Sequence, residues 1–99
     1  MALDMDNQKL YFSKNGTFQN SGVPTSGSTG TGAISVVADN TYVPCMAFYG
    51  SQAANCNFGN GFFGTTAVTS AGSNASGNGV FEYDVPTGYT ALSTKGLNL

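Results

Sequence analysis

The stretch "ALDMDNQKLYFSKNGTF", residues 2–18, alternates apolar and polar side chains and closes just after an Asn15-Gly16 pair. The alternation puts Leu3 and Met5 on one face of a strand and Asp4 on the other, as the period of two in a β-strand requires. An Asn-Gly pair adopts the positive φ angles of a two-residue hairpin turn at low cost. The stretch therefore predicts strand, turn, strand, turn.

A calcium loop is the alternative interpretation of the same residues, because Asp4, Asp6 and Gln8 have the spacing of its first three ligands. Such a loop also needs glycine at its sixth position and glutamate at its twelfth. Lys9 and Asn15 occupy these two positions. We therefore predict no metal site, and we expect no cofactor.

The composition excludes several classes of partner. The 99 residues suffice for one domain, and 40% of them are hydrophobic, but only 8% are charged. Three lysines without any arginine, at a net charge of −2, leave no basic stripe for nucleic acid or for an anionic membrane. No run reaches the roughly 18 apolar residues of a spanning helix, and no signal peptide is recognisable. We expect a soluble chain whose location the sequence does not specify.

Short runs rich in Val, Ile, Tyr, Phe and Thr recur between clusters of Gly, Asn and Ser, which is typical of an antiparallel all-β domain with little or no α-helix. The predicted strands cover residues 2–6, 9–14, 33–38, 41–49, 53–58, 80–83 and 89–92. Two Gly/Ser/Thr-rich segments, residues 20–32 and 64–79, bury too little apolar surface to offset the backbone entropy of ordering them. We expect both segments to be mobile surface loops.

The two cysteines allow one bridge. A turn at Gly50-Ser51 would place Cys45 opposite Cys56 at a hydrogen-bonded pair, the wider of the two spacings in an antiparallel ladder. Two small buried thiols on one inward face are the favoured alternative. Neither cysteine is a candidate nucleophile or zinc ligand, because the chain has no histidine and no further cysteine.

Three blocks resemble the SPRY domain family in the right order along the chain: "ALDMDNQKLYFSKNG", "TYVPCMAFYGSQAANCNFG" and "FEYDVPTGYTALSTKGL", the last being similar to phage-encoded and environmental SPRY-like proteins. The resemblance implies an antiparallel β-sandwich over residues 1–99. It departs from the family at Gln8, where glycine is common. It also covers only the C-terminal half of a SPRY domain.

Half a β-sandwich leaves one face of its sheet uncovered and its edge strands open. Burying one Phe side chain contributes roughly 1.5–3 kcal/mol, so exposure of several of the seven would remove most of the stability of a small domain. We therefore expect the chain to re-pair its own strands, to form a homo-oligomer, or to associate with the missing N-terminal half.

Catalysis is not predicted. Without histidine there is no Ser-His or Cys-His pair, and the carboxylate pairs Asp4/Asp6 and Glu82/Asp84 are interpreted as solvated strand faces.

The sequence agrees better with ligand recognition than with catalysis, because aromatic residues lie in or beside turns. The candidate ligand-binding residues are Phe48, Tyr49, Gly50, Phe62 and Phe63, of which the first three match the ligand-binding turn of SPRY domains. Phe58 is expected in the core.

Two functions from different classes follow. The first is a non-enzymatic recognition module that binds a protein or peptide through loops at one end of the sandwich. The second is a self-associating fibre or decoration component of a phage particle, which would make the chain virion-associated. Carbohydrate binding is a weaker third option, because the chain has no tryptophan for sugar stacking.

Overall fold

The computed structural model describes residues 1–70, 72, 74 and 76–92. These residues contain seven short strands: β1 (Ala2–Asp4), β2 (Lys9–Tyr11), β3 (Ser13–Lys14), β4 (Thr17–Phe18), β5 (Ile34–Ser35), β6 (Phe62–Phe63) and β7 (Thr66–Ala67). All strand pairs are antiparallel, in a three-stranded sheet of order β1-β2-β5 and two hairpins, β3-β4 and β6-β7. Two 3₁₀ segments, Gln19–Ser21 and Gly27–Thr29, are the helical elements of the described residues. The prediction of antiparallel β structure with little helix is confirmed, but these residues show small separate sheets and much loop rather than two packed layers.

The strand-turn-strand-turn prediction for residues 2–18 is confirmed. Asn15 and Gly16 have φ angles of 50° and 81°, and they join β3 to β4 with Lys14 paired to Thr17. This is the left-handed geometry that a two-residue hairpin turn needs, because it matches the twist of the strands.

The turn between β1 and β2 holds a glutamine in the left-handed conformation that glycine adopts most readily. Gln8 has a φ of 54°, which is uncommon for a residue with a Cβ. Its side-chain amide donates hydrogen bonds to the carbonyl oxygens of Met5 and Asp6, at 3.0 and 3.1 Å. Asp4 begins the turn by accepting the backbone N–H of Asn7 at 3.0 Å. Side-chain hydrogen bonds thus hold a turn that glycine would form without them.

The register of the three-stranded sheet determines which side chains share each of its two faces. Ala2 lies opposite Tyr11 and Leu3 opposite Leu10, while Leu10 also pairs with Ile34. Paired residues in an antiparallel ladder project to the same side. One face therefore carries Ala2 and Tyr11, and the other carries Leu3, Leu10 and Ile34.

The Tyr11 face is the covered one. Tyr11 is only 1% exposed, and its ring meets that of Phe18 edge-to-face at a centroid distance of 6.4 Å. Its hydroxyl lies 3.3 Å from the Ser26 hydroxyl, which in turn accepts the backbone N–H of Thr31 at 2.9 Å. Residues 20–32 thus fold over this face, with Pro24 buried. Their mobility stays a prediction.

The predicted hairpin at residues 41–58 is wrong. Neither 41–49 nor 53–58 forms a strand, although Gly50 keeps the positive φ of a turn, at 74°. Pro44 cannot donate to a ladder, and an isolated two-stranded hairpin is marginal in water. Of the strands predicted at 80–83 and 89–92, only an isolated bridge from Val80 to Asn60 is present.

Loss of this hairpin exposes the side chains that it would have buried. Cys45 and Cys56 are free and exposed, so both the disulfide and the buried-thiol interpretations are corrected. Phe58, expected in the core, is 46% exposed. Conversely, β7 lies inside the segment 64–79 that was predicted to be a loop, because Gly64 (φ 63°) turns the chain back onto β6.

Candidate functional site

An open groove lies between the β3-β4 turn and the chain around residues 82–86. The ring of Tyr83 lies directly on Gly16, where an added Cβ would approach Tyr83 Cδ1 to 2.7 Å. Only a glycine, which also tolerates the φ of 81°, lets the ring come this close. The hairpin turn thus places the aromatic wall of the groove.

The groove has a volume of about 520 Å³. Its apolar walls are aromatic and proline rings with one valine, contributed by Phe18, Pro24, Tyr83, Val85 and Pro86. Tyr83 is 51% exposed, so one side of its ring remains available. The volume falls within the roughly 300–1,000 Å³ of ligand sites, and the open shape suits an extended chain better than an enclosed small molecule.

Glu82 gives one end of the groove a fixed carboxylate. Its oxygens accept the Thr69 hydroxyl and the Thr69 backbone N–H, each at 2.7 Å, and the Ser70 backbone N–H at 3.3 Å. The hydrogen bond from the Thr69 hydroxyl is the main cause that lowers the pKa of Glu82, and the two backbone donors add to it while desolvation opposes it. Glu82 is therefore ionised at neutral pH and held in one orientation.

Tyr89 is hydrogen-bonded to Pro24, one of the residues that line the groove. Its hydroxyl donates to the Pro24 carbonyl oxygen at 2.9 Å, and this bond joins the C-terminal part of the described chain to the 20–32 segment. Burial, followed by the charge of Asp4 and the proximity of Tyr11, raises the pKa of Tyr89 to about 12. The phenol is therefore neutral and can donate throughout the physiological range.

The residues predicted to bind a ligand lie elsewhere. Phe48 and Gly50 are exposed in coil, and Tyr49 is 97% exposed. Phe62 and Phe63 form β6, where their side chains are 45% and 39% exposed. None of these five residues lines the groove.

The sequence analysis did not predict that Tyr83, Pro24 and Pro86 lie close together. Tyr83 belongs to the predicted strand 80–83, Pro24 lies in the predicted loop 20–32, and Pro86 lies far along the chain from Pro24. All three prolines follow a valine, at 23–24, 43–44 and 85–86, so the Val-Pro pair does not single out the two prolines that line the groove. The structure shows their proximity, because Pro24 and Pro86 line the same groove and Tyr89, three residues after Pro86, donates to the Pro24 carbonyl oxygen.

Comparison of the chain with protein-family models, with curated proteins and with solved structures gave no match. The likeness to SPRY domains therefore remains a prediction from the sequence. Within the described residues, no group of three or more His, Cys, Asp or Glu side chains is placed to hold a metal ion. In that same part of the chain, no helix combines the length and the apolar character needed to cross a bilayer.

Proposed function

We propose that the chain is a non-enzymatic recognition module of the SPRY type that contributes one layer of a β-sandwich and binds an extended peptide segment of a partner protein. The ring of Tyr83, seated on Gly16 beside Pro86, is the observation that carries the proposal. Aromatic and proline walls are the surfaces on which extended, proline-containing peptides dock. A partly exposed tyrosine on a rigid support is also the side chain most often found at the centre of such contacts.

Charge narrows the class of peptide. Glu82 is ionised, and Asp84 adds a second carboxylate to the lining of the groove. Neither lysine of the described residues, Lys9 or Lys14, lines the groove. A neutral or basic peptide is favoured over an acidic one, because like charges would meet when an acidic ligand binds.

The exposed turn with Phe48, Tyr49 and Gly50 forms a separate candidate surface, as do Phe62 and Phe63 on β6. The turn belongs to the loop-mediated binding that the resemblance implies, whereas Phe62 and Phe63 are predicted from their position beside turns. Tyr49 therefore provides a matched comparison for Tyr83, because each is an exposed tyrosine and only Tyr83 lies in the groove.

Fluorescence anisotropy with labelled extended peptides tests the proposal. The peptides contain prolines and differ only in a central Lys or Glu. We expect the Lys peptide to bind more tightly, and we expect Tyr83→Ala to raise its Kd by roughly 10- to 30-fold, which is about 1.4–2 kcal/mol. Tyr49→Ala should leave the Kd within about twofold, as expected for a residue outside the contact.

The two variants distinguish binding in the groove from binding at the turn of residues 48–50. Loss of binding in Tyr49→Ala alone would place the ligand on the turn at 48–50 and refute the groove while retaining recognition. No binding by wild type to either peptide would refute the proposal. Thermal melts of each variant identify losses that come from unfolding, and Pro86→Ala provides a second groove variant that leaves the Tyr83–Gly16 contact in place.

A further inference from the structure

The carboxylate of Glu82 in the groove is largely occupied by donors of the chain itself. Its Oε1 atom accepts the Thr69 hydroxyl at 2.7 Å. Its Oε2 atom accepts two backbone N–H groups, that of Thr69 at 2.7 Å and that of Ser70 at 3.3 Å. An ionised carboxylate offers about four acceptor positions, two on each oxygen. Within the described residues, Glu82 therefore keeps one open position for a ligand, and that position is on Oε1.

The two donors on Oε2 belong to a backbone segment that is packed directly against the chain around Glu82. The backbone N–H of Gly72 donates to the Phe81 carbonyl oxygen at 2.8 Å. A Cβ atom at Gly72 would overlap with the carbonyl group of Tyr83, so the two backbones are in direct contact. A change of side-chain rotamer cannot remove backbone donors. A ligand therefore meets Oε2 with both of its positions filled.

The two basic side chains place different demands on such a carboxylate. The planar guanidinium of arginine binds best as a fork, with two parallel N–H bonds to the two oxygens. The second N–H of that fork would point at Oε2 of Glu82 and find no acceptor position. The ammonium of lysine is a compact charge whose donors rotate freely. It can use the open position on Oε1, and its other donors stay hydrated because the groove is open to solvent.

Tyr83 can support the rest of a lysine side chain. Its ring is 51% exposed, and it lines the groove together with Glu82. Lysine places its aliphatic stem along apolar surface while its charged end stays in water. The face of an aromatic ring also attracts a cation. The ring and the carboxylate thus favour the same ligand group.

From these observations we propose that Glu82 makes the groove selective for lysine over arginine in the bound peptide. The selectivity rests on the proposed function, because it specifies which side chain the peptide-binding groove accepts. Glu82 contacts the ammonium group. Thr69 and Ser70 are positioning residues, since they act through Glu82 by filling the acceptor positions that an arginine fork needs.

Fluorescence anisotropy with two proline-containing peptides that differ only in a central Lys or Arg tests the selectivity. We expect the Kd of the Lys peptide to be roughly 3- to 10-fold lower, which is the effect of about one net hydrogen bond. Glu82→Gln should weaken the Lys peptide and bring the two Kd values within about twofold of each other. Asp6→Asn is the matched control, since Asp6 is an exposed carboxylate that does not line the groove, and it should keep the wild-type ratio.

Ser70→Pro tests the cause of the selectivity, because proline has no N–H and removes one of the two donors on Oε2. With that position open, an arginine fork can form. The Arg peptide should then gain on the Lys peptide by about threefold or more. Thermal melts verify that each variant is folded, and if Ser70→Pro is not, the ratio in Glu82→Gln decides.

The outcomes distinguish the selectivity from the proposed function. Equal Kd values for the two peptides in wild type, with Tyr83→Ala still weakening both, would overturn the selectivity and leave peptide recognition in place. An undiminished preference for lysine in folded Glu82→Gln would also overturn it, because another group would then select the ligand. An unchanged ratio in folded Ser70→Pro would overturn the occupied oxygen as its cause. No binding of either peptide would refute the proposed function and the selectivity together.

Discussion

Replacing Gly16 by alanine should damage the hairpin turn and the groove together. Gly16 has a φ of 81°, where residues with a Cβ are strained, and its added methyl carbon would lie 2.7 Å from Cδ1 and 3.0 Å from Cε1 of Tyr83. The methyl group would also lie 3.3 Å from Tyr83 Cγ, at the root of the ring, so rotation about the Cβ–Cγ bond does not relieve the overlap. The whole side chain of Tyr83 must move away from the turn.

The expected loss of stability in Gly16→Ala has two parts, and a matched control variant separates them. The backbone strain of an L-residue at positive φ costs roughly 1–2 kcal/mol. Displacing a half-exposed ring adds about 1 kcal/mol, at the low end of the cost of overpacking. Gly88 has a φ of 89°, and a methyl group there meets nothing within 4 Å. Gly88→Ala should therefore lower the free energy of unfolding by the backbone strain alone, whereas Gly16→Ala should lower it by about 2–3 kcal/mol.

Urea unfolding followed by circular dichroism measures both variants, and the Tyr83→Ala background closes a double-mutant cycle. With the ring removed, Gly16→Ala should cost no more than Gly88→Ala does. Equal costs for the two glycine variants in the wild-type background would show that Tyr83 does not rest on the turn. That result would refute the packing on which the groove depends.

Two further predictions concern pH and thiol chemistry. Because burial raises the pKa of Tyr89 from 10.0 to about 12, its contribution to stability is complete below pH 10 and is lost as the pH rises from 10 to about 12. Urea unfolding across this range should show a steeper decline for wild type than for Tyr89→Phe, and equal slopes would contradict the assignment. Cys45 and Cys56 are both free and exposed, so both should react with a thiol reagent in the folded protein at the rate seen in urea. A thiol that reacts only after denaturation would show that residues 41–58 are folded over it.

Local chemistry accounts for the parts of the fold that the sequence predicts well. Asn15-Gly16 determines its own φ angles and thereby the pairing of the adjacent residues, whatever the rest of the chain does. The alternation in residues 2–11 likewise specifies two faces, since a slip of one residue would exchange them. It does not tell which face is covered. That depends on the hydroxyl of Tyr11 reaching Ser26, a contact between distant parts of the chain.

Residues 41–58 show why strand propensity alone was insufficient. The run contains Val43, Phe48 and Tyr49 and has a turn at Gly50, yet no strand forms. β-propensity measures packing against neighbouring strands, and within the described residues this run has no strand beside it. The groove escaped prediction for the converse reason, because Gly16 and Tyr83 meet through tertiary folding and share no sequence pattern.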